Sequence, residues 1–185
     1  MREAQIKAAL RAQLTQRDRQ APLRFVEELI LDKGLFRADL VETTTLHCYE
    51  IKSEADSLAR LIHQGARYNK VFRYVTLVAA ERHLAQALPL LPPWWGVLQV
   101  PAEVGGKFRT IQAAKRNMHQ VTRDLASALG REECMAILDQ VGTTRGWRSK
   151  SLYLIQAHLA ASLTVAELSR HAIEQLSDRG LLQVA

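Results

Sequence analysis

The sequence predicts an α/β domain, a mixed central sheet flanked by helices, continued by an all-helical C-terminal extension. Three observations predict it. Up to Val100, β-rich runs alternate with runs of helical apolar period. Two of those β-rich runs are joined by so few residues that only an antiparallel return fits. Beyond Gly105-Gly106 only the helical period persists. With 185 residues, 48% of them hydrophobic, the chain suits one compact domain with an appendage, 1–103 as core and 104–185 as extension.

Between Arg2 and Arg19, Ile6, Leu10 and Leu14 mark one stripe of a helix, which Pro22 ends. Leu23 to Leu31 is short and apolar, a strand interrupted by Glu27 and Glu28 and closed by the turn Asp32-Lys33-Gly34. Phe36 to Thr43 and Leu46 to Ser53 form the hairpin. A helix follows, with Leu58, Leu61, Ile62, Gly65 and Ala66 on its packing side and Arg60, Gln64, Arg67 and Tyr68 on the other. Tyr74 to Ala80 reads as a buried strand and His83 to Leu91 as a helix stopped by Pro92-Pro93. Trp94 to Val100 is a last strand, and its tryptophans read as core and edge packing before base stacking. In the extension, Ile111, Ala114, Met118, Val121 and Leu125 trace a helix to Gly130, Cys134 to Val141 a second, and Leu152 to Leu159 a third. Thr164-Val-Ala-Glu167 is a capping box opening a final helix to Gly180.

Composition narrows the function classes. Two cysteines, Cys48 and Cys134, are too few for a disulfide framework or a zinc site and suit a reducing compartment. No apolar run approaches a membrane span, and the polar opening lacks a signal-peptide core, so the expected location is cytoplasmic with no membrane partner. The net charge of +6 favours an anionic partner, nucleic acid first. Residues 104–150 hold nine basic and four acidic residues. Lys107, Arg109, Lys115, Arg116, Arg123, Arg145, Arg148 and Lys150 are therefore candidates for a phosphate backbone, a solvated helix face being the equal alternative. Gly105-Gly106-Lys107 lacks the spacing of a phosphate loop and reads as a linker.

The chemistry centres on Asp39 and Glu50-Ile51-Lys52. Alternation along a strand gives Glu50 and Lys52 one face, shared with Cys48. The hairpin can bring Asp39 opposite or diagonal to Glu50, so two carboxylates and a lysine converge. Two hard oxygen ligands with water is how Mg²⁺ is commonly held beside a phosphate, and the lysine can orient the attacking water or neutralise developing charge. Alone, Glu50 and Lys52 would be an ordinary strand ion pair; Asp39 and the hairpin context argue against that.

These residues resemble the PD-(D/E)XK nuclease superfamily, across roughly the first half of the chain. Within it, Arg37-Ala38-Asp39, Tyr49-Glu50-Ile51-Lys52-Ser53, Asp56-Ser57-Leu58, Gln64, Tyr68, Glu81-Arg82-His83 and Trp94-Trp95-Gly96 are similar to a bacterial branch. Ala38 stands where the motif's name has proline. The resemblance implies a restriction-endonuclease-like core, metal ligation by Asp39, Glu50 and the Ile51 carbonyl, and a catalytic Lys52. It implies support of the active centre by Gln64 and Tyr68; Arg60 and Arg67, on the same predicted helix face, are candidates for nucleic-acid contact. An acidic residue on the first helix sometimes joins such sites, and Glu3 is the candidate; Glu27 and Glu28 read first as solvated strand residues, the alternative being that one of them reaches the metal site. The expected function is hydrolysis of phosphodiester bonds in DNA, less so RNA, as an endonuclease or exonuclease with Mg²⁺ or Mn²⁺. The alternative is a catalytically idle nuclease-fold module that binds nucleic acid or a protein partner; a homo-oligomer fits either reading.

Overall fold

The computed structural model describes residues 1–17 and 23–182. Pro22 and the expected end of the first helix at Arg19 lie outside the described residues. Helix α1 (Glu3–Arg17) is followed by β1 (Phe25–Leu31), β2 (Phe36–Glu42), β3 (His47–Lys52), α2 (Leu61–Val71), β4 (Tyr74–Ala79), α3 (Glu81–Ala87), β5 (Gly96–Gln99) and β6 (Arg109–Gln112). The chain ends in α4 (Thr122–Ala126), α5 (Arg131–Gln140), α6 (Leu152–Ser162) and α7 (Val165–Leu182). The six strands make one sheet in sequence order. β1, β2 and β3 pair antiparallel, β3, β4 and β5 parallel through the α2 and α3 crossovers, and β6 returns antiparallel on β5. This is the expected α/β architecture, a mixed sheet flanked by helices with a helical C-terminal region.

The sheet's two faces carry separate apolar layers. Ile6 and Leu10 of α1, both without exposed surface, pack on Leu40, Tyr49, Ile51 and Val78. Cys48, Leu77, Val97 and the α2 residues Leu61 and Tyr68 belong to the opposite, larger layer. Strand β3 therefore alternates as its sequence predicts, with Glu50 and Lys52 on the Cys48 side. The turn before it is built by Glu42, whose carboxylate accepts the main-chain N–H groups of Thr44 at 2.6 Å and Thr45 at 3.1 Å as well as both hydroxyls. Gly65 lets α2 sit on Trp95, because a Cβ there would lie 3.0 Å from the indole ring. Trp95 is fully buried and donates to Asn69 Oδ1 at 2.7 Å, which suits core packing.

Two expectations are corrected here. The helix traced by Ile111 to Leu125 does not form, except for its last turn in α4. Residues 109–112 complete the sheet, and residues 113–121 strap its end: Lys115, Asn117 and Val121 N–H groups donate to the carbonyls of Trp94, Arg73 and Lys70 at 2.8 to 2.9 Å. Those bonds to neighbouring segments compete with the helical i to i−4 pattern, and Met118 is left exposed. The extension is also part of the main core: Leu125, Ile137, Leu159 and Leu176 are buried in the same layer as Val26 and Cys48. Helix α7 approaches β1 so closely that a Cβ on Gly180 would meet the Phe25 carbonyl oxygen at 2.8 Å. The capping box forms as predicted, with Thr164 N–H on Glu167 Oε2 at 2.9 Å and Glu167 N–H on Thr164 Oγ1 at 3.3 Å. Among the described residues no helix is long and apolar enough to cross a membrane.

Candidate metal and catalytic centre

The site is created by a defect shared by β1 and β2. In β1, Val26 and Leu29 face the same core layer although they are three residues apart, so alternation slips between them. Glu28 takes up the slip with a positive φ of 55°. In β2, Ala38 and Val41 likewise share that layer while Leu40 faces the other. The register pairs Glu27 with Leu40 and Leu29 with Ala38, leaving Glu28 and Asp39 between the two pairs. Both carboxylates are thereby released from regular alternation, and single oxygens of Glu3, Glu28 and Asp39 lie within 4.8 Å of one another.

On the other side of Asp39 stands the Glu50 and Lys52 pair. Glu50 has no exposed surface. Lys52 Nζ donates to Glu50 Oε1 at 2.6 Å and to Gln64 Oε1 at 3.3 Å. The Tyr68 hydroxyl lies 2.8 Å from both Glu50 Oε2 and the Arg37 carbonyl, so its single proton serves one acceptor at a time. Asp39 Oδ2 accepts the Ile51 N–H at 2.7 Å. The Lys52 carbonyl accepts from the Ala80 N–H just past the end of β4 at 2.9 Å, and successive residues of a strand face opposite ways. The Ile51 carbonyl therefore projects from the same edge as the N–H that meets Asp39. Glu50, Lys52, Gln64 and Tyr68 are thus linked by hydrogen bonds and Asp39 is tied to Ile51, while the oxygen cluster found among the described residues is Glu3, Glu28 and Asp39, without Glu50.

Electrostatics mark the same spot. Burial and then the Glu50 carboxylate push the Asp39 carboxyl up to about 7, with Glu3 adding to the effect; the Ile51 N–H and Lys52 oppose it. Burial and Glu50 also raise the Tyr68 hydroxyl far above its ordinary range, keeping it a donor. Lys7 lies buried beneath the acidic group, paired with Glu28 and 3.6 Å from Glu3. Burial acts to lower its pKa, but the bond to Glu28 and the surrounding carboxylates outweigh it and hold the ammonium above its usual range. Arg11 pairs with Glu27 at 2.6 Å and Arg37 with Glu28. Glu27 and Glu28 are accordingly not simply solvated, and Glu28 joins the oxygen cluster, which the alternation of an ideal strand gave no means of finding. The donor set is hard carboxylate oxygen, which suits Mg²⁺ or Mn²⁺ rather than a softer ion.

The orientation of α2 differs from its predicted wheel. Leu61, Gly65, Tyr68 and Val71 form the buried side, whereas Ile62 and Ala66 are exposed. Tyr68 faces inward because its ring packs near Phe72 while its hydroxyl finds Glu50. Arg67 points away from the centre, 2.7 Å from Asp32 and 2.9 Å from Asp124, and Arg60 is exposed at the helix start. Of the extension's cations, Arg109 is held by Gln99 through two bonds of 3.0 and 2.7 Å, and Arg123 by the Tyr153 hydroxyl. Lys107, Lys115, Arg116, Arg145, Arg148 and Lys150 are exposed on three separate segments.

No curated protein and no solved structure matches the chain. A family model does, that of bacteriophage P4 protein cII, over residues 1–180, and so through both the sheet and the helical extension. The chain belongs to the bacteriophage P4 protein cII family.

Proposed function

We propose that this chain is a divalent-metal-dependent nuclease that hydrolyses phosphodiester bonds in nucleic acid, DNA before RNA. The observation that carries the reading is the buried Lys52 held between Glu50 and Gln64, next in the strand to the Ile51 N–H that binds Asp39. Asp39, Glu3 and Glu28, with Glu50 and the Ile51 carbonyl adjoining, would hold Mg²⁺ or Mn²⁺. When bound, such an ion supplies stabilisation of phosphate charge and a more acidic water. Lys52 spends two of its three N–H donors on Glu50 and Gln64, which leaves one for a water or a phosphoryl oxygen. Tyr68 fixes the second oxygen of Glu50 and so keeps the ammonium aimed. Arg60 and the exposed cations of the extension would meet the phosphate backbone.

The test is incubation with single-stranded, nicked, branched and duplex DNA, and with RNA, each with and without Mg²⁺ or Mn²⁺. Metal-dependent cutting lost in Lys52 variants supports the reading; a preparation that cuts none of these substrates refutes it. A second reading, an idle module that binds nucleic acid or a protein partner, is favoured by one observation: both oxygens of the fully buried Glu50 already have partners. It requires intact affinity with no cleavage in the same panel.

A further inference from the structure

A second site lies where the helical extension meets the sheet domain. The cleft there holds about 560 Å³ and is lined from β1 and the turn after it, from α2, from α4 and the loop after it, and from α6 and α7, a size usual for small-molecule sites. None of the residues of the carboxylate centre lines it. Its cations divide into two sets. Arg67 is neutralised by Asp32 and Asp124, and Arg179 by Glu133, its Nε donating at 2.7 Å; these pairs tie the walls together. Lys33, Lys70 and Arg123 are exposed and, among the described residues, have no carboxylate within ion-pair distance.

Tyr153 concentrates that uncompensated charge. Its half-exposed ring has Lys33 Nζ and Arg123 Cζ each 5.2 Å from its centroid. The ring attracts both cations and keeps them on the lining of one cleft, where a bound anion offsets their charge. Beside this charged rim the wall is apolar, with Leu129, Leu152 and an Ile30 that is 59% exposed. A ligand that matches both parts carries a phosphoryl group and a compact, flat body. A long-chain anion does not, because charged side chains interrupt the apolar wall.

We propose that this cleft binds a nucleoside phosphate, its phosphoryl group among Lys33, Lys70 and Arg123 and its base against Ile30 and Leu152. The ligand is either a free nucleotide or the 5′-phosphorylated end of a strand. Binding here goes beyond hydrolysis and holds whether or not the carboxylate centre turns over.

The experiment is equilibrium titration of the full chain in EDTA with AMP, with a 5′-phosphorylated dinucleotide, with its 5′-hydroxyl counterpart and with inorganic phosphate. AMP or the phosphorylated dinucleotide should saturate, and the 5′-hydroxyl form and inorganic phosphate should each bind at least about tenfold more weakly. Lys33→Gln, Lys70→Gln and Arg123→Gln should each weaken binding by about fivefold or more, and Asp39→Asn should leave it unchanged. AMP bound more tightly than the dinucleotide identifies a free nucleotide; the reverse identifies a strand end. No saturation by either up to about 10 mM, or binding indifferent to the three charge substitutions, overturns the assignment. Because the titration uses no metal and reads no cleavage, that failure leaves the nuclease reading untouched.

Discussion

Asp39 bonds across the end of the hairpin to the main chain of Ile51, Oδ2 to N at 2.7 Å. The β2–β3 ladder stops one pair earlier, at Leu40 and Tyr49, so the side chain takes the place of the next backbone rung. A carboxylate held this way is oriented before any ligand arrives, and only one of its oxygens is committed. It is also the group that joins the two halves of the centre, facing Glu3 and Glu28 on one side and Glu50 and Lys52 on the other.

The pH dependence of metal binding follows from that position. A carboxyl raised from 3.8 to about 7 in the folded state binds more protons than in the unfolded chain across that interval. Metal-free stability should therefore fall as pH rises from about 4 to 7. Under the nuclease reading metal competes with the same proton, so the rise in Tm caused by Mg²⁺ or Mn²⁺ should grow between pH 6 and pH 8. Asp39→Asn should abolish most of this growth. A metal-induced shift equal at both pH values would remove Asp39 from the ligand set.

Glu50 and Lys52 should behave as a buried pair whose single loss is severe. Lys52→Ala or Glu50→Gln leaves a charge without its partner and should cost about 3–5 kcal/mol. The double variant Glu50→Gln, Lys52→Met should regain much of that stability in denaturant titration, since neither charge remains. It should not regain cleavage, which under the nuclease reading stays down by orders of magnitude because the ammonium is gone. Cleavage that returned together with stability would reduce the pair to a structural role.

Tyr68→Phe removes one hydroxyl from between Glu50 Oε2 and the Arg37 carbonyl. The ring still fills its space, so the loss should be about 1–3 kcal/mol, the cost of an unsatisfied buried acceptor. Thermal unfolding measures it. Under the nuclease reading the metal requirement should be unchanged and turnover reduced, since Glu50 becomes free to move Lys52.

How far the centre was legible varies residue by residue. The shared face of Glu50 and Lys52 follows from the rigid period of a strand, whereas the roles of Gln64 and Tyr68 are what the resemblance to the nuclease superfamily implies. Tyr68 reads as polar-side in the sequence since a tyrosine satisfies either environment; only the tertiary partner at Glu50 decides it. That one of Glu27 and Glu28 reaches the centre is an alternative the sequence offers, but which one is not readable, because it depends on a backbone φ of 55° at Glu28 that no side-chain pattern encodes. The stripe from Ile111 to Leu125 misled for a related reason. Its four-residue sheet segment, Arg109–Gln112, is too short to show alternation, and the hydrogen bonds that straighten residues 113–121 come from Trp94, Arg73 and Lys70, distant in sequence.

His47 supplies an acid-limb prediction away from the centre. Burial lowers its pKa from 6.5 to about 3, and Nε2 lies 2.7 Å from Thr76 Oγ1. The unfolded chain takes up the proton first, so stability held above pH 6.5 should be lost as pH falls toward 3. His47→Gln should flatten that part of the stability profile. An unaltered slope would mean that other groups govern acid unfolding.

The basic extension has to be tested by charge rather than by deletion. Removing residues 104–185 would take away β6 and Leu125, Ile137, Leu159 and Leu176, which belong to the same core as Val26 and Cys48, so the remainder should unfold. Neutralising Lys107, Lys115, Arg116, Arg145, Arg148 and Lys150 to Gln instead leaves the packing intact, because all six are exposed. Each of them that meets a phosphate should lower the slope of log affinity against log salt for duplex DNA by about 0.9. Affinity at low salt should fall with the slope, while under the nuclease reading the metal concentration needed for cleavage stays where it was, since every proposed ligand lies before residue 104. A slope unchanged in the six-fold variant would move DNA contact to Arg60 and the sheet domain, and leave the extension's role to its packing and its cleft.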